Sequence, residues 1–415
     1  MRTKMRFPVI RALPILAGAA CALFTALPAS AQSVDCATLP GRVYVAGSTA
    51  VKPFLLAIAK NLVTANPPIT IIYQGQGSCV GVNYMTTSPA GTISGTGTYW
   101  DSTGSADLSC NLTAITGDVV DIGVSDVFAS SCGYAADPSM HDFYGPVQSM
   151  TFSVPVTSTQ QSISAEAAYM VFGFGADTAA HTVAPWNDAT ALEVRSASSG
   201  TQQMISAALA QVGSGFAAAK VKGVANSGSG VVLTGLTGLA AANNQEKAIG
   251  FLAMDVVDTN RDKVRPLAFQ FKGQSCGYMP DSSTTAFDKA NVRDGHYAIW
   301  GPLHMITPST DGKTATNANA DKIIGYLTGR DAPAFDLISV EATKGVVPDC
   351  AMRVSRTTEV GAMASYMPAK SCECKFLKAA TGTAPTDCVA CPNNTDAECA
   401  SGANKHCNYG FCEVQ

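Results

Sequence analysis

The sequence predicts an α/β fold in two lobes, followed by a small disulfide-rich module. Three observations carry this prediction. Short apolar strands alternate with helical patterns along residues 36–368. That stretch is long for a single domain and suits two lobes. From Ser371 the composition turns abruptly to Cys, Asn, Thr and Ala, a mixture that cannot build an apolar core and must be held by bridges.

The first elements are legible one by one. Residues 42–46 alternate as a strand, and Gly47-Ser48-Thr49 follows as a turn. Val51, Leu55, Ile58 and Leu62 then recur at helical spacing, with Pro53 in the first turn, where a missing N–H costs little. Pro67 and Pro68 end that helix, and residues 69–73 read as the next strand. Residues 83–118 are rich in Gly, Ser and Thr and weakly periodic, the pattern of a long surface insertion built as a small hairpin pair. Regular alternation resumes at Val119. The tail, 369–415, reads as a separate module whose removal should leave the body intact.

The N-terminal residues point to export. Arg2, Lys4, Arg6 and Arg11 precede an apolar stretch from Leu13 to Leu27, and Ala29-Ser30-Ala31 has the small residues that signal peptidase reads, so 1–31 is expected to be a signal peptide. No later segment is long and apolar enough to span a bilayer. Removing 1–31 removes four basic residues and takes the formal charge from -4 to -8, which leaves no basic face for nucleic acid or anionic lipid. An anion, if bound, must be held by a local constellation. Of 14 cysteines, 13 remain after the signal, and outside the cytoplasm these should mostly pair. Six lie in the body and seven in the tail, so either a thiol stays free or a bridge joins the two.

Four strand-ending loops carry small hydroxyl residues and glycines. Gly47-Ser48-Thr49-Ala50 opens a helix, whose free N–H groups and positive dipole end suit an anion; Ser and Thr are also ordinary N-caps. Gly75-Gln76-Gly77-Ser78-Cys79-Val80-Gly81 permits close backbone approach and offers the Ser78 hydroxyl, without the Gly-Lys-Ser/Thr ending of a Walker loop. Asp121-Ile122-Gly123-Val124-Ser125-Asp126 brings a carboxylate, which can accept the acidic proton of phosphate where sulfate has none. Arg195-Ser196-Ala197-Ser198-Ser199-Gly200-Thr201 is the most specific: a permanently charged planar fork, then hydroxyls and N–H groups at a helix start.

These four loops, in this order, resemble the phosphate-binding proteins of bacterial phosphate ABC transporters, within the type II periplasmic binding proteins. The resemblance continues through Ala248-Ile249-Gly250-Phe251-Leu252, Asp294-Gly295-His296-Tyr297 and residues 345–352, and so spans most of residues 40–355. It implies two α/β lobes joined by two crossover segments. One lobe holds 36–145 and 270–368, with the insertion 83–118; the other holds 146–269. The implied phosphate ligands are Thr49, the Ala50 N–H, Ser78, Asp126, Arg195, Ser199, the Gly200 N–H and Thr201. Implied partners are phosphate itself and a membrane permease, for a monomeric protein in the periplasm or at the cell surface. No cofactor, metal or catalytic residue is expected.

Three features depart from the family. The 83–118 insertion lies between two ligand loops, where it is placed to cover or reshape the cleft mouth. Ala197 and Ser198 stand where relatives often carry Asp-Gly, which removes the usual carboxylate beside Arg195. The Cys-rich tail is foreign to the family. Two rival readings follow: a phosphatase, although there is no Gly-x-Ser-x-Gly elbow and the five histidines are scattered, and a surface protein for scavenging or adhesion.

Overall fold

The structure is a computed structural model that describes residues 34–135, 137–399 and 406–414. The expected signal segment, 1–31, lies outside the described residues. From Val34 onward the chain forms one compact unit.

Its frame is a 12-stranded mixed sheet. In chain order the strands are β1 (Val34–Asp35), β2 (Arg42–Gly47), β3 (Thr70–Gly75), β4 (Thr96–Tyr99), β5 (Leu108–Asn111), β6 (Ile122–Ser125), β7 (Met140–Pro155), β8 (Leu192–Arg195), β9 (Val224–Asn226), β10 (Ile249–Ala253), β11 (Val264–Pro266) and β12 (Trp300–Pro308). They lie side by side as β1-β5-β4-β3-β2-β6-β12-β7-β10-β8-β9, with β11 also on β7. The helices that matter for function are α1 (Lys52–Leu62), α2 (Ser78–Tyr84), α3 (Gly200–Ala210), α4 (Ser229–Ala241), α5 (Met254–Asp258), α6 (Leu337–Thr343) and α7 (Glu373–Thr381).

The sheet has two parallel portions. β3, β2 and β6 run parallel with Gly47 level with Gly75 and Val124, so their three C-terminal loops share one edge. β9, β8 and β10 form the second parallel portion. Between them the 16-residue β7 pairs antiparallel with β12 along its first part and with β10 along its second. Each portion has its own core: Val43, Val45, Leu55, Ile58 and Ile71 in one, Phe152, Phe172, Val194, Ile205 and Phe251 in the other. The helical pattern read from Val51, Leu55, Ile58 and Leu62 reflects burial, since all four are inaccessible.

The insertion is ordered sheet. Its β4–β5 hairpin pairs with β3 through Tyr73 and Thr98, while Thr92–Ile93 pairs with Asp118–Val119. Trp100 is buried there and stacks on Tyr73 at 6.0 Å between ring centroids. The segment thus extends the sheet sideways, because apolar residues scattered among its Gly and Thr find a sheet edge to bury against.

A bridge joins body to tail, and one thiol stays free, as the odd count of 13 requires within one chain. Cys36–Cys110 and Cys79–Cys132 lie within the body, Cys350–Cys372 joins body to tail, and Cys374–Cys388, Cys391–Cys407 and Cys399–Cys412 hold the tail. Cys276 is free and exposed. Six disulfides belong to an oxidising, extracytoplasmic compartment. The sulfurs of Cys391, Cys399 and Cys412 converge within 4.8 Å, but oxidation leaves none of them a thiolate for a metal.

One expectation needs correction. The tail is bridged like a module, yet its first helix is part of the body. Cys372 and Phe376 are both fully buried in the larger core, and α7 packs along α6. Glu373 pairs with Arg293 and Arg353, and Lys375 with Asp336. Composition hides this because the anchoring contact rests on a few apolar residues among polar neighbours.

Beneath this contact, Glu341 of α6 is 2 % exposed, and burial pushes its carboxyl well above the usual range. The folded protein therefore keeps a proton that the unfolded chain releases. The stabilisation is complete below the unfolded carboxyl pKa and is lost as pH rises through the folded value. Glu341→Gln should raise stability by about 1–3 kcal/mol at pH 8, and the gain should vanish near pH 4. Thermal melts at both pH values check this; an equal shift at both would contradict it.

Candidate functional site

The loops after β2, β3, β6 and β8 meet in one buried cluster. Such carboxyl ends of parallel strands, where loop becomes helix, concentrate free N–H groups. Asp126 lies at its centre, nearly inaccessible. The Ser48 hydroxyl is 2.7 and 2.6 Å from its two carboxylate oxygens, and the Ser78 hydroxyl donates to Oδ2 at 3.0 Å. The Asp126 N–H returns a bond to Ser78 Oγ at 3.2 Å, and the Ala50 N–H donates to Ser48 Oγ at 3.1 Å. Burial pushes the Asp126 carboxyl up, opposed by the two serine hydroxyls and the Arg195 charge.

Arg195 reaches across from the second parallel portion and is 1 % exposed. Its Nη2 donates to Thr49 Oγ1 at 2.8 Å and its Nη1 to Ser229 Oγ at 2.9 Å. Nε and Nη2 also reach the carbonyls of Asn226 and Ser227 at 3.4 Å. Burial lowers its pKa to about 10, so it stays charged at neutral pH. The loop from Arg195 to Thr201 holds no carboxylate, so neutral acceptors hold the fork and its charge is left uncompensated within that loop.

The start of α3 closes the cluster. A Cβ on Gly200 would lie 2.3 Å from Ser78 Oγ and 2.7 Å from Asp126 Oδ2, so only glycine admits this approach. Gly77, at φ +107°, abuts the Ser198 carbonyl, and the Cys79 N–H donates to that carbonyl at 3.0 Å. Ser199, the N-cap of α3, is buried. Thr201 is 0 % exposed and its hydroxyl has no partner among the described residues. All eight residues singled out from sequence thus stand in or beside one cluster, linking segments 146 residues apart at Thr49 and Arg195.

Sequence reading missed several members. Ser48 was visible in its loop but looked like a cap; it is the main partner of Asp126. Ser229 and Asn226 come from the β9–α4 segment, which only the β8–β9 pairing brings to Arg195. Asp255 of α5 carries no motif. It is 1 % exposed, its Oδ1 accepts from the Val256 N–H at 2.8 Å, and its Oδ2 has no partner among the described residues. Burial, with the Asp126 charge adding to it, pushes the Asp255 carboxyl well above the usual range. Tyr73, whose hydroxyl donates to the Ser48 carbonyl, walls the cluster on the insertion side.

Chemically, the cluster offers one permanent cation, one buried acceptor carboxylate, several hydroxyls, and N–H groups at the start of α3. These suit a small oxyanion that carries a proton.

No protein-family model matches the sequence, and no curated protein matches it. Among solved structures, the chain is similar to a Clostridium perfringens substrate-binding protein with bound phosphate, at 14% identity over 74% of this chain and 99% of that one, with a TM-score of 0.49. It is similar to an ABC-type phosphate transport receptor from Vibrio cholerae, at 16% identity over 74% and 99%, with a TM-score of 0.46. It is also similar to a Corynebacterium glutamicum OxyR mutant, at 9% identity over 72% and 66%, with a TM-score of 0.37.

Proposed function

We propose that this chain is an exported substrate-binding protein that holds inorganic phosphate between two lobes without changing it chemically. The observation that carries the reading is that Arg195 and Asp126, each held by hydroxyls, converge in one buried cluster. Arg195 supplies the attraction for the anion. Thr49, Ser78, Ser199 and Thr201 supply hydroxyl donors, and the N–H groups of Ala50 and Gly200 complete the set. Asp126 accepts the phosphate proton. Lobe one is 36–145 with 270–368 and lobe two is 146–269, so the chain crosses between them twice, within β7 and near residues 269–270, and these crossings serve as the hinge. The Arg195–Thr49 and Cys79–Ser198 bonds are then the contacts that opening must break to admit the anion. The resemblance of the loops to phosphate-transporter proteins extends the reading to delivery, by a monomer, to a membrane permease.

Asp126 sets the selectivity. Sulfate has no proton at neutral pH and leaves the buried carboxylate unpaired against a second negative charge, which costs a few kcal/mol. Phosphate should therefore be preferred by a factor on the order of a hundred or more. Asp126→Asn replaces an acceptor oxygen with an NH2 donor and should erase most of that preference, while some phosphate binding through Arg195 survives. Titrating both anions at one ionic strength checks this, since salt screens the charge. An Asp126→Asn protein with unaltered selectivity would sink the mechanism. Because burial raises the Asp126 pKa, the wild-type preference should also narrow as pH falls and the carboxyl protonates.

A further inference from the structure

Cys79 sits at a junction of three of the site's loops. It directly follows Ser78, its sulfur is bonded to Cys132, and its N–H donates to the Ser198 carbonyl at 3.0 Å. Cys132 ends a short 3-10 turn, Ala129–Cys132, six residues beyond Asp126. The bridge therefore closes a covalent ring over residues 79–132 that holds Asp126 and begins one residue after Ser78, and Cys79 couples this ring to the loop that carries Arg195 and Thr201. The other contacts that hold Ser78 are non-covalent: its hydroxyl bonds with Asp126, and α2 packs on β2 and β6. α2 has only seven residues and its N-cap, Gly77, has no side chain to cap it. The two cysteines are 53 positions apart and the stretch between them includes the whole insertion, so without the bridge Ser78 and Asp126 are tied covalently only through a long detour.

We infer that the Cys79–Cys132 disulfide positions the anion site, holding the Ser78 and Asp126 loops in binding register, rather than serving stability alone. This inference rests on the phosphate reading of the site. Holding donors and acceptor in place before binding spares the ordering cost at the moment of binding. The other bridge of this region, Cys36–Cys110, ties β1 to β5 at the sheet edge and touches no site loop, so it is the natural control.

The test compares phosphate titrations and thermal melts of the wild type, Cys79→Ser/Cys132→Ser and Cys36→Ser/Cys110→Ser, below all three melting transitions. The Cys79/Cys132 variant should bind phosphate at least tenfold more weakly, with faster amide exchange in residues 78–84. The Cys36/Cys110 variant should melt earlier yet bind like the wild type. If the serine pair does not fold, Cys79→Val/Cys132→Ala fills the buried Cys79 position without a bond and carries the same expectation. Affinity within threefold of the wild type in a folded Cys79/Cys132 variant overturns the inference. So does an equal affinity loss in both pairs, which would mark a general stability effect. A wild-type protein that binds no phosphate overturns the functional reading itself, and this inference with it.

Discussion

Arg195→Ala should weaken phosphate binding by a factor on the order of 10² to 10⁴ while leaving the protein folded. The guanidinium is the one full positive charge proposed to meet the anion. Its fork matches two phosphate oxygens, and two charge-assisted bonds at about 1.5–3 kcal/mol each sum to about 3–6 kcal/mol. At about 1.4 kcal/mol per tenfold, that is the stated range. The stability effect should be smaller. Arg195 bonds to hydroxyls and carbonyls, Thr49, Ser229, Asn226 and Ser227, and no buried carboxylate depends on it as a partner in an ion pair. Losing these neutral contacts should cost about 1–3 kcal/mol. Isothermal titration and thermal unfolding of the same preparation separate the two effects. An unchanged affinity would remove Arg195 from the site.

Removing the tail should damage the fold. Truncation after Lys370 takes away Phe376 and Cys372, both fully buried, and leaves Cys350 without its partner. It also strips Arg293, 3 % exposed, of the Glu373 carboxylate beside it. Phe376→Ala alone should cost about 3–5 kcal/mol through lost burial and the cavity left behind. The truncation adds an exposed core face, an unpaired buried cation and a lost disulfide, so the body should melt far below the full chain or fail to accumulate. A truncated protein with an unchanged melting temperature would show that α7 is an accessory. Truncation after Gly382 is the informative contrast. It keeps α7 and the Cys350–Cys372 bridge, removes the three disulfides beyond, and should be far better tolerated.

What could be read from sequence follows from what is local. Each site loop is a strand end running into a turn or a helix start, and strand period, glycine and hydroxyl pattern are written within a dozen residues. Hence the four loops could be picked out before any contact was known, and the family resemblance then pointed to Thr49, Ser78, Asp126 and Arg195 within them. Pairings across the sheet are not local. Ser229 meets Arg195 because β8 pairs with β9, and Asp255 nears Asp126 because α5 packs against α1 and β7, neither of which leaves a periodic trace. Disulfide partners were likewise beyond reach, since 13 cysteines allow many pairings. The tail misled for a related reason. Its composition is that of a bridged module, and three of its bridges agree, but Phe376 and Cys372, with Leu377, Ala379 and Ala380 packed beside them, make α7 part of the core.

The absence of a carboxylate from residues 196–201 bears on affinity. A neighbouring carboxylate would neutralise Arg195 before the anion arrives, whereas hydroxyl and carbonyl partners hold the fork in place and leave its charge for the ligand. On the phosphate reading, Asp126 then disfavours a dianion that brings no proton. Charge, hydrogen-bond direction and burial together favour a protonated tetrahedral anion.

The most direct test of that claim is calorimetric titration of the wild-type protein with phosphate and with sulfate, at pH 7.5 and matched ionic strength. The account predicts one phosphate per chain, bound at least about a hundredfold more tightly than sulfate. Equal affinity for the two anions, or no binding of either, would contradict it.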